Sequence, residues 1–199
     1  MTKLLLLGAQ GQVGQELQRT LAPLGEVIHL DRAQLDLTEE SRLREFLREQ
    51  APTVMVNAAA YTAVDRAEQE SELAWAVNAR VPQVLAQETE RLGAYLIHIS
   101  TDYVFDGQKN APYLETDATA PLGVYGASKL AGEQAIQKTG AEALILRTAW
   151  VYGVYGQGNF VKTMLRLGKE RRQLKVVVDQ VGSPTWARDI AQALARLIP

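Results

Sequence analysis

The sequence predicts an α/β fold built on a doubly wound parallel sheet, with helices on both faces. Three observations lead there. Short, wholly apolar runs recur along the 199 residues, and a strand covered on both faces reads as such a run, without the alternation of a half-exposed strand. Longer amphipathic stretches separate the runs, each long enough for a right-handed crossover. The first apolar run also ends in a glycine-spaced turn, Gly8-Ala9-Gln10-Gly11-Gln12-Val13-Gly14, that opens the first helix.

Leu4–Leu7 is the first strand, and Gly8 ends it. Gln12–Leu21 has the spacing of an amphipathic helix. Val27–Leu30 is the second strand, ending at Asp31. Thr38 is placed to cap a polar helix running to Gln50, with mixed charges from Glu40 to Arg48. Thr53–Val56 is the third strand. A long helical region follows from Ala63 to Leu92, with a break expected near Pro82, whose ring removes an N–H and clashes with the preceding turn. Tyr95–Ile99 is the fourth strand. Asp102–Pro121, punctuated by Gly107, Pro112 and Pro121, is the longest stretch without a pattern. Loops of that length inside compact domains are often functional, and this one leaves the carboxyl end of a strand, where ligands of such sheets bind. Leu122–Lys138 reads as a helix, Leu144–Leu146 as the fifth strand, Phe160–Lys169 as a helix, Leu174–Val178 as a sixth strand and Trp186–Leu197 as a last helix. The expected division is a dinucleotide-binding domain over 1–150, with 151–199 completing the sheet and opening a second portion.

Composition narrows the function. With 21 Lys+Arg against 23 Asp+Glu the net charge is −2, which argues against a basic nucleic-acid face. Cysteine is absent, which excludes disulfides, thiolate metal sites and cysteine nucleophiles and fits a reducing, cytoplasmic location. The leucines after Met1-Thr2-Lys3 are too few for a signal-peptide core, and no apolar run reaches the length of a membrane span. His29 and His98 fall in predicted strands with no metal-like spacing. They read as packing residues, and no metal ligand set is assigned.

The glycine turn carries the first chemistry. Gly8 allows the tight turn, Gly11 lets a pyrophosphate approach the backbone, and Gly14 lets the helix pack on the sheet. The helix N-terminus adds free N–H groups and a positive dipole end. No Gly-Lys-Ser/Thr follows, so this is not a P-loop. Asp31 stands 17 residues after Gly14, where an acid accepts hydrogen bonds from an adenosine ribose and favours NAD. Arg32 beside it is suited to a 2′-phosphate instead. NADH or NADPH therefore stays open, and Asp31 also suits a simple turn, the lesser reading.

Tyr125-Gly126-Ala127-Ser128-Lys129 is the second constellation. Positions i and i+4 share a helix face, and a cation beside a phenol lowers its pKa, making Tyr125 a usable general acid. Alone, the pair fits a solvated lysine on an ordinary helix; its place after the fourth strand and the long loop gives it weight. The third piece, Ser100-Thr101-Asp102-Tyr103-Val104-Phe105-Asp106-Gly107, sets hydroxyls at the carboxyl end of the fourth strand. They are placed to bond a substrate carbonyl or to form a simple turn.

Together these pieces resemble the extended short-chain dehydrogenase/reductases. Asn57 to Glu68, Ser100 to Gly107, Val124 to Glu133 and Arg147-Thr148-Ala149-Trp150-Val151-Tyr152 are similar to the dTDP-4-dehydrorhamnose reductase family in particular. That resemblance implies a Rossmann-type NAD(P)-binding fold and NAD(P)H-dependent reduction of the 4-keto group of dTDP-4-dehydro-β-L-rhamnose to dTDP-β-L-rhamnose. It implies that Tyr125 donates the proton, that Lys129 holds the nicotinamide ribose and lowers the Tyr125 pKa, and that Thr101 polarises the ketone. Cofactor contacts are implied for Gly8, Gln10, Gly11, Gln12, Val13, Gly14, Asp31, Arg32, Asp36, Leu37, Ala58, Ala59, Ala60, Tyr61, Thr62, Tyr125 and Lys129. Thr101, Asp102 and Trp150 would face the dTDP-sugar, although Trp150 also suits a core aromatic. The family allows magnesium and a homodimer. Its members continue past this length, so the substrate portion is expected to be truncated. A nucleotide-sugar epimerase or dehydratase, or a non-catalytic nucleotide-binding regulatory subunit, are the alternatives.

Overall fold

Strand β1 (Lys3–Leu7) shows how the sheet is covered in the computed structural model, which describes residues 2–198. Its four leucines are fully buried but alternate between two cores. Leu4 and Leu6 pack with Leu17, Leu21, Val56, Ile190 and Leu194 on one face. Leu5 and Leu7 pack with Leu43, Leu47, Met55, Leu85 and Ile136 on the other. Burial of each leucine contributes about 2 kcal/mol, so a continuous apolar run is what two covered faces require.

Strands β1, β2 (Glu26–Leu30), β3 (Val54–Asn57), β4 (Tyr95–Thr101) and β5 (Glu142–Thr148) pair in parallel in the order β2-β1-β3-β4-β5. The connection from β2 to β3 passes back over β1. That reversal opens a crevice at the carboxyl ends of β1 and β3, the place where open α/β sheets bind ligands. Helix α1 (Gln12–Leu21) covers one face together with α8 (Ala187–Leu197), and the Thr20 hydroxyl donates to the Ala191 carbonyl at 3.2 Å. Helices α2 (Glu40–Gln50), α5 (Val81–Leu92) and α6 (Val124–Gln137) cover the other.

Four expectations are corrected. The sixth strand, Leu174–Val178, is not formed: the segment is irregular, with Val177 67% and Val178 92% exposed. Strand propensity supplies no hydrogen-bonding partner, and among the described residues no strand pairs with this segment. Residues 151–198 therefore add no strand to the main sheet; β6 (Val151–Tyr152) and β7 (Thr185–Trp186) form a separate small ladder, while α8 joins the main core. Helix α2 starts at Glu40 rather than at a Thr38 cap, because the Thr38 N–H and hydroxyl both bond the Asp36 carboxylate, at 2.9 and 2.8 Å. The helical region also breaks before Pro82. Short helices α3 (Val64–Ala67) and α4 (Ser71–Trp75) are separated at residues 68–70, and a π-helical turn over Ala76–Arg80 leads into α5. The wider turn accommodates Pro82, whose ring would otherwise press on the Asn78 carbonyl four residues back.

Helices α2 and α5 are joined through Glu88, which is 2% exposed. Arg48 bonds both its oxygens, at 2.9 and 2.7 Å, and Arg44 bonds one at 3.0 Å. Hydrogen bonds from Arg48 chiefly hold the carboxyl below its usual value. Glu88→Ala is expected to cost about 2 kcal/mol, less than a fully buried pair because both arginines reach solvent. A depressed folded pKa means that this stabilisation is complete above the unfolded carboxylate value and is lost as pH falls through the folded one. Urea titration at neutral and acidic pH checks both points; an unchanged midpoint at neutral pH refutes the first.

Candidate active site

Each glycine of the turn has its own reason. Gly8 has φ +77°, and a Cβ there would fall 2.5 Å from the Ala59 nitrogen beyond β3. A Cβ on Gly14 would fall 2.1 Å from the Gly8 carbonyl oxygen and 2.8 Å from Ala9 Cα. These two glycines let the turn, the helix and the neighbouring loop touch. Gly11 differs, since a Cβ there would meet a single atom, the Gly8 oxygen at 3.3 Å, a tight contact that a shift of a few tenths of an ångström relieves, with room on every other side. Gly11 is the N-cap of α1 with no side-chain cap, and no acid stands in the first turn. The N–H groups there have no side-chain cap, and the positive helix end is not neutralised by an acid: an anion cradle.

The side chains beside the turn serve the protein itself. Gln12 donates to the Val151 carbonyl at 3.4 Å and accepts from Asn159 at 2.7 Å, closing the 153–159 loop over the turn. Val13 packs into the core beneath α8, and Gln10 accepts from Gln15. What Gln12 and Val13 offer a ligand is backbone N–H. Asp31 accepts from the Ala33 and Gln34 N–H groups at 2.9 and 3.0 Å, so one carboxylate oxygen builds the turn after β2. Arg32 is exposed, 3.9 Å from Asp36. The Asp36 carboxyl is held below its usual value mainly by Thr38, and Leu37 packs against the core.

Beyond β3, Ala58, Ala59 and Ala60 are half-buried and Thr62 is exposed. The π-turn clamps this loop. Asn78, 1% exposed, accepts from the Tyr61 N–H at 2.9 Å and donates to the Tyr61 carbonyl at 3.0 Å and to the Ser128 hydroxyl at 3.1 Å. Ser128 in turn donates to the Tyr125 carbonyl at 2.8 Å. A Cβ on Gly132 would fall 2.2 Å from the Asn78 carbonyl oxygen, so a glycine on α6 lets that helix seat against the π-turn. The Tyr61 hydroxyl donates to Glu70 at 2.7 Å, which pushes its pKa up.

The carboxyl end of β4 carries the rest. Thr101 is 5% exposed; its hydroxyl donates to Asp102 at 3.1 Å and accepts from the Tyr103 N–H at 3.2 Å. Gly126 brings α6 onto this turn, since a Cβ there would fall 2.2 Å from the Tyr103 carbonyl oxygen. Tyr103 and Tyr125 meet edge to face at 5.5 Å. Burial pushes the Tyr125 phenol up, Asp102 and Tyr103 add to that, and the adjacent Thr101 hydroxyl opposes it. Burial likewise pushes Asp102 up.

Lys129 is a correction. It shares the helix face with Tyr125, but its nitrogen turns inward, donating to the Ile99 carbonyl at 2.7 Å and lying 3.2 Å from His98 Nε2. It is 1% exposed, and burial lowers its pKa to about 8, against the pull of Glu133. The expected lowering of the Tyr125 pKa is replaced by a rise. An amine stripped of water takes the backbone carbonyl within reach. Of the two histidines, His98 packs in its strand as expected and His29 does not. His29 is exposed on the edge strand, and His98 is fully buried in a polar chain with Asn57 and Lys129. Trp150 is no core aromatic: it has φ +45°, is 44% exposed, and lies against Gly182, where a Cβ would fall 2.7 Å from the indole.

Sequence reasoning missed Asn57, Asn78, Ser128 and the Glu133–Arg147 pair, whose 2.6 Å contact is buried on the glutamate side. Only the position of Asn57 at a strand end hinted at a role. Among the described residues no three His, Asp or Glu side chains gather as a metal site, so magnesium gains no support. No helix there is long and apolar enough to cross a membrane.

A covered parallel sheet with a reversal between β1 and β3, and a helix-opening glycine turn at that reversal, define a doubly wound α/β protein of the Rossmann type. Comparisons make this particular. The family model described as the RmlD substrate binding domain matches residues 1–199. The dTDP-4-dehydrorhamnose reductase of Burkholderia thailandensis is 52% identical over 196 residues, covering 98% of this chain and 65% of that protein. That of Escherichia coli K12 is 51% identical over 199 residues, covering 98% and 66%. A crystal structure of dTDP-4-dehydrorhamnose reductase from Bacillus anthracis, in complex with NADP, superposes with a TM-score of 0.94 at 43% identity, covering 99% of this chain and 70% of that one. The chain belongs to this family, the dTDP-4-dehydrorhamnose reductases, and spans 65 to 66% of the length of those curated relatives.

Proposed function

We propose that the chain binds a nicotinamide dinucleotide at the glycine turn and carries the catalytic half of an NAD(P)H-dependent reduction of the 4-keto group of dTDP-4-dehydro-β-L-rhamnose. The observation that carries the proposal is the packing of Tyr125 on the Thr101–Tyr103 turn at the carboxyl end of β4, at the same end of the sheet as the anion cradle. The fit to a dinucleotide rests on Gly11, where a side chain would fill otherwise open space above uncapped N–H groups. The relatives' names, and the NADP in the Bacillus anthracis structure, support the same chemistry.

The backbone of Gly11, Gln12 and Val13 would hold the pyrophosphate, Asp31 the adenosine ribose, and Lys129, once its nitrogen turns out from the Ile99 carbonyl, the nicotinamide ribose. When bound, the dihydronicotinamide supplies the hydride. Thr101 holds the ketone oxygen through its hydroxyl. Tyr125 passes its phenolic proton to that oxygen as negative charge develops there. A phenol kept protonated by burial is in the correct state for this at neutral pH. Asp102 and the half-exposed Trp150 are the residues proposed to face the sugar nucleotide, and 151–198 the start of the portion that binds it.

The test is fluorescence titration of the chain with NADPH and NADH, followed by measurement of cofactor oxidation with dTDP-4-dehydro-β-L-rhamnose. Saturable binding and formation of dTDP-β-L-rhamnose are expected; absence of binding overturns the proposal. Asp31→Ala is expected to weaken NADH about tenfold, the value of a lost charged hydrogen bond, and NADPH less. The reverse ranking would show that Asp31 does not contact the ribose.

A further inference from the structure

The donor–acceptor order of the buried chain Asn57–His98–Lys129 follows from one backbone contact. The Asn57 carbonyl oxygen accepts from the Ala59 N–H at 3.1 Å, so its amide nitrogen is the end that faces His98 Nδ1 at 3.0 Å. An amide nitrogen only donates, so Nδ1 must accept. The neutral ring then carries its proton on Nε2, and Nε2 is the atom 3.2 Å from the Lys129 nitrogen. An ammonium there would set donor against donor. An uncharged amine resolves it: its lone pair accepts from His98 Nε2–H while one of its own N–H groups donates to the Ile99 carbonyl at 2.7 Å.

We propose that His98 is a positioning residue for Lys129: locked by Asn57 as the Nε2–H tautomer, it offers Lys129 a donor and so favours the uncharged amine, seated against Ile99. The opposite tautomer would require the Asn57 amide to turn over, and the Ala59 N–H in the loop beyond β3 would lose its acceptor. Both ring contacts are fully buried, so no water substitutes for a missing partner. The low pKa of Lys129, which burial causes, agrees with this arrangement. Around the pair, Glu133 on α6 attracts a charged Lys129 but is itself bonded by Arg147 of β5. The π-turn presents the neutral Asn78, and Tyr125 lies one turn back on α6 beside Asp102. Protonation of Lys129 therefore turns the His98 contact from attraction to repulsion while the Ile99 carbonyl still accepts from it, so the inward seat loosens as pH falls through the lysine value of about 8. The functional meaning of this rests on the proposed role of Lys129 in the reductase site; the tautomer does not.

Two-bond 1H–15N NMR of the ring reads the tautomer in the unaltered chain, and a pH titration of the Lys129 13Cε resonance reads its charge. A protonated Nε2, a bare Nδ1 and a lysine midpoint near 8 are expected. His98→Gln offers a carbonyl oxygen in place of the donor and is expected to raise the midpoint by about one pH unit, a tenfold gain in proton affinity. In that variant the pH dependence of NADPH affinity is expected to move with it. A proton on Nδ1 in the unaltered chain overturns the proposal, whether or not the variant folds. So does an unmoved midpoint in a folded His98→Gln. Absence of NADPH binding in the unaltered chain would instead overturn the reductase proposal and leave the tautomer result standing.

Discussion

Replacing Tyr125 by Phe is expected to lower ketone reduction by about 10²–10⁴-fold, the usual contribution of a positioned general acid, while leaving NADPH affinity within about twofold. The phenol sits where Thr101 can share the ketone oxygen with it, and burial keeps its proton in place at neutral pH. Phenylalanine preserves the ring, and with it the edge-to-face contact to Tyr103 at 5.5 Å. Stability is therefore expected to change little, so a rate loss reports on the proton and not on the fold. Stopped-flow oxidation of NADPH with the keto sugar, beside a cofactor titration, separates the effects. Equal turnover by variant and parent would show that the proton comes from elsewhere.

Two glycines of the same turn are expected to fail in opposite ways. Gly14→Ala puts a methyl 2.1 Å from a backbone oxygen and 2.8 Å from a backbone carbon. Neither atom can rotate away, so α1 must lift from β1, at a cost of about 3 kcal/mol or more. Thermal unfolding is expected to show a large loss of stability. In Gly11→Val the Cβ meets one atom, the Gly8 oxygen at 3.3 Å, a contact relieved by a small shift, and the backbone there, φ −73° and ψ 174°, suits any residue. This variant should fold and melt like the parent but lose about 100-fold in NADPH affinity, because the side chain occupies the space left for a phosphate. Unchanged affinity in Gly11→Val would remove the glycine turn from the binding site, and an unchanged melting temperature in Gly14→Ala would contradict the packing just described.

The sheet was legible because its signals are local. The leucine run of β1, the glycine spacing and the strand–helix alternation each act within a few residues, through burial on both faces and backbone reach. The misplaced elements show where local signals end. Leu174–Val178 has the composition of a strand but no neighbour to pair with, and Pro82 was tolerated because the turn before it widened. The i, i+4 spacing placed Tyr125 and Lys129 on one helix face, but it did not give the direction of the Lys129 nitrogen. That depended on a carbonyl and a ring 30 and 31 residues away in sequence.

By itself, then, the sequence determined the doubly wound α/β class, the glycine turn, and the tyrosine and hydroxyl pieces of the site, all written in short-range patterns of burial, conformational freedom and helix periodicity. Only the tertiary structure decided how much room each glycine of the turn leaves, that burial pushes the Tyr125 phenol up, and that Asn57, His98 and Lys129 form one buried chain. Those outcomes depend on desolvation and on hydrogen-bond order between strands that meet only after folding, and no spacing along the chain encodes either.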